Sequence, residues 1–225
     1  MQQKKVFSIL ALLFSIVFFA QSPLPEGFSN AKTIIQDIEI DLRYATKNNF
    51  IGQKIDGYKA QKAILSTKAA RALLAAQQEF GQMGLGLKLF DGYRPQRAVD
   101  HFVRWAKNPI DTLKKAQFYP NIPKSQLFKA QYIATRSGHS RGSSVDITLI
   151  DFSSCEELDM GSSYDFFGKI SNLDYQNLSS KQHANRQLLQ RIMIKHGFRP
   201  YAQEWWHFTL NNEPFPSTYF NFIIE

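Results

Sequence analysis

The stretch Ser137-Gly-His-Ser-Arg-Gly-Ser-Ser-Val-Asp146, answered far downstream by Glu204-Trp-Trp-His207, constrains this fold more than any other feature. Together the two segments carry two imidazoles and two carboxylates. That is the inventory of a hydrolytic zinc site with an open coordination position and a general base beside it. To serve one metal the segments must meet in space. His139 and Asp146 are seven positions apart, and an odd spacing on one straight strand sends side chains to opposite faces. Gly142 lies between them and permits the sharp turn that lets a loop-borne His and a strand-borne Asp converge. Glu204 and His207, three apart, pose the same problem. Their spacing predicts that Glu204 sits just before its strand, on a turn or bulge.

The rest of the chain supplies the elements that could bring these segments together. Gln36 to Tyr44 alternates through Ile38, Ile40 and Leu42 and reads as a strand with one buried face. Ser66 is the expected N-cap of a helix to about Met83, with Ala69, Ala70, Leu73, Leu74 and Phe80 as its apolar stripe. Leu87 to Tyr93 is a short predicted strand, followed by a helix from Gln96 to Ala106 with Val99, Phe102, Val103 and Trp105 on its apolar side. The prolines between Asn108 and Lys129 predict mostly loop. Ser144 to Ile150 reads as a strand, Ser179 to His196 as a long helix ended by Gly197, and Trp205 to Leu210 as the closing strand. Helices and strands in no strict alternation argue for an α+β fold, a small central antiparallel sheet with helices packed on it. The glycines of Gly81-Gln-Met-Gly-Leu-Gly86 follow a helix and lack a Lys-Ser/Thr ending, so they do not make a phosphate loop.

At 225 residues, 44% hydrophobic and 20% charged, the chain is ordinary globular material with one sizeable core. Its one cysteine, Cys155, forms no internal disulfide and no cysteine-based zinc cluster. His101, His183 and His196 sit in or beside predicted helices without a partner pattern. Residues 1–20 differ from the rest: Lys4 and Lys5 precede an apolar run from Val6 to Ala20. That is the pattern of a signal peptide and short for a membrane span. The expected mature domain is 21–225, exported to the periplasm or secreted, without stable membrane insertion. Phe18 departs from the small-x-small cleavage pattern, so an uncleaved N-terminal anchor is the alternative. The formal charge of +8 becomes +6 when the two leader lysines leave. These cations are scattered and form no basic block, which argues against nucleic acid and for either anionic wall polymers as surroundings or solubility and nothing more.

Ser137-x-His139-x-x-Gly142-x-x-x-Asp146 followed by Glu204-x-x-His207 resembles the zinc D,D-peptidases of bacterial cell walls. Among them it is most similar to the D-alanyl-D-alanine dipeptidases of the VanX type. Tyr44-Ala-Thr, Asn49-Phe50-x-Gly52, Asp56-Gly-Tyr58, Asp91-Gly-Tyr-Arg-Pro95, Tyr119-Pro-Asn121, Met160-Gly-Ser162 and Asp165-Phe166 extend the likeness from about residue 35 to the C-terminus. The resemblance implies one zinc per chain, held by His139, Asp146 and His207. It implies Glu204 as catalytic base and Arg94 as the residue that stabilises the reacting carbonyl. Tyr44, Ser137 and Asp165 match positions near the dipeptide, with Tyr44 and Asp165 at its amino end. Gly138 departs from the pattern, since some members carry Ser there; a backbone N–H would then serve the substrate carboxylate. The export signal is a second departure from resistance-type dipeptidases, which act in the cytoplasm. The implied activity is hydrolysis of a small D,D-dipeptide. The alternatives are a D,D-carboxypeptidase acting on peptidoglycan stems and a catalytically silent wall-binding relative.

Overall fold

A computed structural model describes residues 23–225; the expected signal segment, 1–20, lies outside the described residues. In chain order the elements are β1 (Phe28–Asn30), α1 (Ala31–Ile34), β2 (Glu39–Ile40), β3 (Ile64–Ser66), α2 (Thr67–Gly81), β4 (Leu85–Asp91), α3 (Gln96–Lys107), α4 (Lys115–Phe118), β5 (Ser144–Asp151), α5 (Ser180–Lys195), β6 (Phe198–Tyr201) and β7 (Glu204–Leu210). Ser66 caps α2 by accepting from the Ala69 amide. Ser179 and Gln182 close a reciprocal capping box on α5, and Gly197 leaves that helix with φ at 86°, a left-handed step that glycine takes without strain. Among the described residues no helix is long and apolar enough to cross a membrane.

The main sheet has five strands in the order β2-β4-β5-β7-β6, and β1 pairs with β3 in a separate two-stranded ribbon. Every pair in the main sheet is antiparallel except β2 with β4. The expected strand from Gln36 to Tyr44 is therefore much reduced, with only Glu39–Ile40 on the ladder. Its apolar alternation still reports burial, since Ile38 and Leu42 are enclosed. The pairing stops early because the chain tightens into a 3-10 turn over Arg43–Ala45, which turns Tyr44 inward. The stretch from Asn108 to Lys129 is mostly loop, relieved by α4 and a 3-10 turn over Lys124–Gln126.

Helices α2 and α5 contact each other and strands of the main sheet, so they share one face. Val145, Ile147 and Leu149 are fully buried and alternate with Asp146 and Thr148, so the two sets point to opposite faces of β5. Helix α3 lies elsewhere, with Val99 and Phe102 lining a cavity above Asp146's neighbours. The last residues brace that region. The Phe220 amide donates to Ser140 O at 2.8 Å and the Gln96 amide donates to Phe220 O at 3.0 Å. Phe220 and Phe222 also pack against Phe28, tying the turn around His139 to the start of α3.

Candidate metal centre and active site

Strand register performs the first act of assembly. Asp91 opposes Asp146, and Asp146 opposes His207, which aligns these side chains in one row across β4, β5 and β7. His139 reaches the row from a 3-10 turn over Gly138–Arg141, ended by Gly142 at φ 79°. A Cβ on Gly142 would fall 2.3 Å from the Phe28 ring, so the turn needs glycine for space as well as for conformation. Glu204 enters through the irregularity expected of it. The ladder steps from Pro200↔Phe208 to Tyr201↔Glu204, and the surplus residues on β7 allow Glu204 and His207 to face the same space.

Three ligand atoms converge at the end of the row. His139 Nε2 lies 3.0 Å from His207 Nδ1 and 3.2 Å from Asp146 Oδ1, and His207 Nδ1 lies 3.0 Å from Asp146 Oδ1. The far nitrogens set the tautomers. His139 Nδ1 is 2.8 Å from the Gly92 carbonyl, which can only accept, so Nδ1 carries the proton and Nε2 offers a lone pair. His207 Nε2 sits 3.2 Å from Thr209 Oγ1, and donation there turns the Nδ1 lone pair inward. Three acceptors then face one another, an arrangement that calls for a cation. Ligands around a tetrahedral zinc at about 2.0–2.1 Å stand about 3.3 Å apart, close to the observed triangle. Two His and one Asp are the only group of three or more potential ligands gathered this closely among the described residues.

Electrostatics agree with that reading. Burial opposes ionisation of Asp146, but the neighbouring His139 and His207 outweigh it and hold the carboxyl well below its usual range. Burial pushes the His207 imidazole down, toward the neutral form a metal requires. Glu204 remains outside the triangle, its Oε2 3.9 Å from His207 Nδ1. Burial drives its carboxyl well up, Asp146 and Asp165 adding to the effect and Arg94 opposing it. A carboxyl raised in this way is a stronger base than an exposed one, as proton transfer from water requires.

Arg94 is fixed from three directions. Its Nε donates to Asp91 Oδ2 at 2.9 Å, Nη2 approaches Asp146 Oδ2 at 3.4 Å, and the guanidinium lies 5.0 Å from the centre of the Tyr44 ring. Tyr44 donates its hydroxyl to Asp165, 3.0 Å from either oxygen. Asp165 is 5% exposed, and its carboxyl is pushed up to about 8, by burial first and then by Asp146. With Tyr44, Arg94, Asp146 and Glu204 it lines a small space of about 30 Å³. Ser137 lines a wider cavity of about 350 Å³ that shares Arg94 and Glu204 with that space and also touches His139 and His207. Its Oγ accepts from the His139 amide at 3.2 Å, which leaves the O–H free to donate. All eight residues singled out in the sequence thus border one continuous region. His101 and His196 lie away from it, beside Asp56 and Glu79 respectively.

Several contributors escaped the sequence. Asp91 is fully buried and accepts from Tyr58 at 2.6 Å as well as from Arg94. Its place three residues before Arg94 was a signal, but the strand register that sets it beside Asp146 was not visible. Tyr164 donates to Asp146 Oδ2 at 3.2 Å. Arg186, on α5, donates to the carbonyls of Met160, Asn172 and Ile170 at 2.6, 3.1 and 2.8 Å, and so pins the loop that carries Asp165.

Residues 25–225 match the peptidase M15 family of D-ala-D-ala dipeptidases. The chain belongs to that family. A D-alanyl-D-alanine dipeptidase of Streptomyces coelicolor is 46% identical over 198 residues, covering 88% of this chain and 98% of the relative. The enzyme of that name from Enterococcus faecalis is 41% identical, covering 90% of this chain and all of the relative. A third, from Escherichia coli, is 32% identical over 79% of this chain and 81% of its own length. Membership makes the chain a metallopeptidase.

Proposed function

We propose that this protein is a zinc-dependent dipeptidase that hydrolyses free D-alanyl-D-alanine to two molecules of D-alanine. The observation that carries the reading is the small space bordered by Asp165, directly beside the metal triangle. Its volume suits a group the size of one water or one ammonium. A substrate whose amine is already acylated has no ammonium to place there, and its acyl group is larger than that space.

His139 Nε2, Asp146 Oδ1 and His207 Nδ1 would hold one zinc per chain. When bound, zinc supplies a water acidified toward neutrality and a Lewis acid for the peptide carbonyl. The chain's own residues do the rest. Asp165 and Tyr44 receive the substrate ammonium, and the Ser137 hydroxyl with the backbone N–H groups beside it receives the carboxylate. Glu204 takes the proton from the attacking water and returns it to the departing amine, so the peptide C–N bond breaks as the new C–O bond forms. Arg94, held by Asp91, offsets the negative charge that develops on the carbonyl oxygen. The leader read in residues 1–20 supports work outside the cytoplasm, where such an enzyme salvages or trims D,D-dipeptide.

Metal removal tests the reading. Protein loaded with zinc and dialysed holds about one zinc per chain; exhaustive chelation abolishes hydrolysis of D-Ala-D-Ala, and added zinc restores it. His139→Ala, Asp146→Ala and His207→Ala each lose the metal. Full hydrolysis by metal-free protein would contradict the assignment.

A further inference from the structure

The substrate region is lopsided about the metal triangle. The space beside Asp165 is about 30 Å³, whereas the cavity that runs from His139 and His207 past Ser137 and Gly138, the side of the departing residue, is about 350 Å³. Cavities of about 300–1,000 Å³ take drug-sized molecules, and an alanine leaving group is far smaller than that. The walls of the wide part carry charge of one sign. Arg136, Arg141 and Arg199 line it, and the one carboxylate among its lining residues is Glu204, which belongs to the reaction centre.

Only part of that positive charge is offset nearby. Glu213 accepts twice from Arg141, at 2.8 and 2.8 Å, and also from Arg199 at 3.1 Å, so one carboxylate serves two guanidiniums. Arg136 has no carboxylate within ion-pair distance among the described residues, and its guanidinium lies 5.0 Å from the centre of the Tyr219 ring. Val99, Phe102 and Ile133 add an apolar wall to the same cavity.

We infer that the leaving-group side is a subsite for a C-terminal D-residue longer than alanine and bearing a carboxylate side chain. The aliphatic stem of a D-glutamate would lie on the apolar wall, and its carboxylate would meet Arg136 and Arg199. The substrate class would then be D-alanyl dipeptides with an acidic second residue, taken in addition to D-Ala-D-Ala. This inference rests on the dipeptidase reading.

The test compares kcat/KM of the zinc-loaded protein on D-Ala-D-Glu and D-Ala-D-Gln, equal in length and different in charge, with D-Ala-D-Ala alongside. At low ionic strength D-Ala-D-Glu is expected to lead by about threefold to tenfold, the scale of one or two half-exposed ion pairs. The lead should shrink toward parity in about 1 M salt and in the double variant Arg136→Gln, Arg199→Gln. The same ratio should appear as affinity by calorimetry on Glu204→Gln protein, which binds with little turnover. A ratio at or below one while D-Ala-D-Ala is cleaved overturns the acidic subsite and leaves the dipeptidase reading standing. No cleavage of any of the three overturns both.

Discussion

Asp165 combines features that oppose a stable fold. It is a buried carboxyl with φ at 61°, and among the described residues its hydrogen-bond partner is a neutral tyrosine, with no cation at ion-pair distance. Such strain and burial concentrate where a site is prepared for a ligand. The consequence for stability has a definite sign. The unfolded chain releases this proton near about pH 3.9, whereas the fold holds it up to about 8. Between those values the unfolded state binds fewer protons, so stability falls as pH rises. Asp165→Asn removes the penalty. In metal-free protein the variant should melt close to the parent near about pH 4 and increasingly above it toward about pH 8, by several kcal/mol at most. Thermal unfolding across that range checks this, and a gap that stays constant or narrows speaks against it. Glu204 offers a second test at this scale. Glu204→Gln should retain zinc while the rate falls by at least about a hundredfold; loss of the metal would make Glu204 a ligand.

Among the elements, α5 acts on the site from a distance, because Arg186 spends its donors on three carbonyls of the 160–172 loop and not on any carboxylate. Arg186→Met strands those carbonyls, each worth about 1–3 kcal/mol when left unsatisfied in the interior. Stability should drop by about 2–4 kcal/mol, and KM for D-Ala-D-Ala should rise severalfold with zinc content unchanged; an unaltered KM would mean that the loop does not depend on this arginine. Long elements with a full apolar period were legible in the sequence, as α2, α3, α5, β5 and β7 all were, because burial of one face is written locally. Short pairings were not. The parallel β2–β4 contact takes two residues, and nothing in Glu39–Ile40 names its partner. The site divides in the same way. His139, Asp146, Glu204 and His207 announced themselves by residue type and spacing. Asp91, Tyr164 and Arg186 act through register or through loop carbonyls, which depend on the assembled sheet. Gly142 bridges the two cases, since its need was foreseen from the turn but the Phe28 ring that fills the space beside it was not.

For the whole molecule, the sheet, the turn at His139 and the C-terminal brace bring a metal triangle between two ends of unlike chemistry. One end is small and bordered by Asp165 and suits a free ammonium; the other is wide and lined by arginines and suits a carboxylate. That polarity, more than the metal itself, decides between a dipeptidase and an enzyme that trims longer chains, because only the dipeptide brings a charged amine to the small end. The decisive measurement is kcat/KM of zinc-loaded protein on free D-Ala-D-Ala beside its N-acetylated form. Acetylation removes the ammonium and with it the ion pair to Asp165, and the added acyl group meets a space of only about 30 Å³; losing such a pair costs about 3 kcal/mol or more, and each 1.4 kcal/mol is about tenfold. The free dipeptide should therefore be cleaved at least about a hundredfold better, with Asp165→Asn narrowing the gap mainly by harming the free substrate. Equal rates on the two substrates would contradict the account.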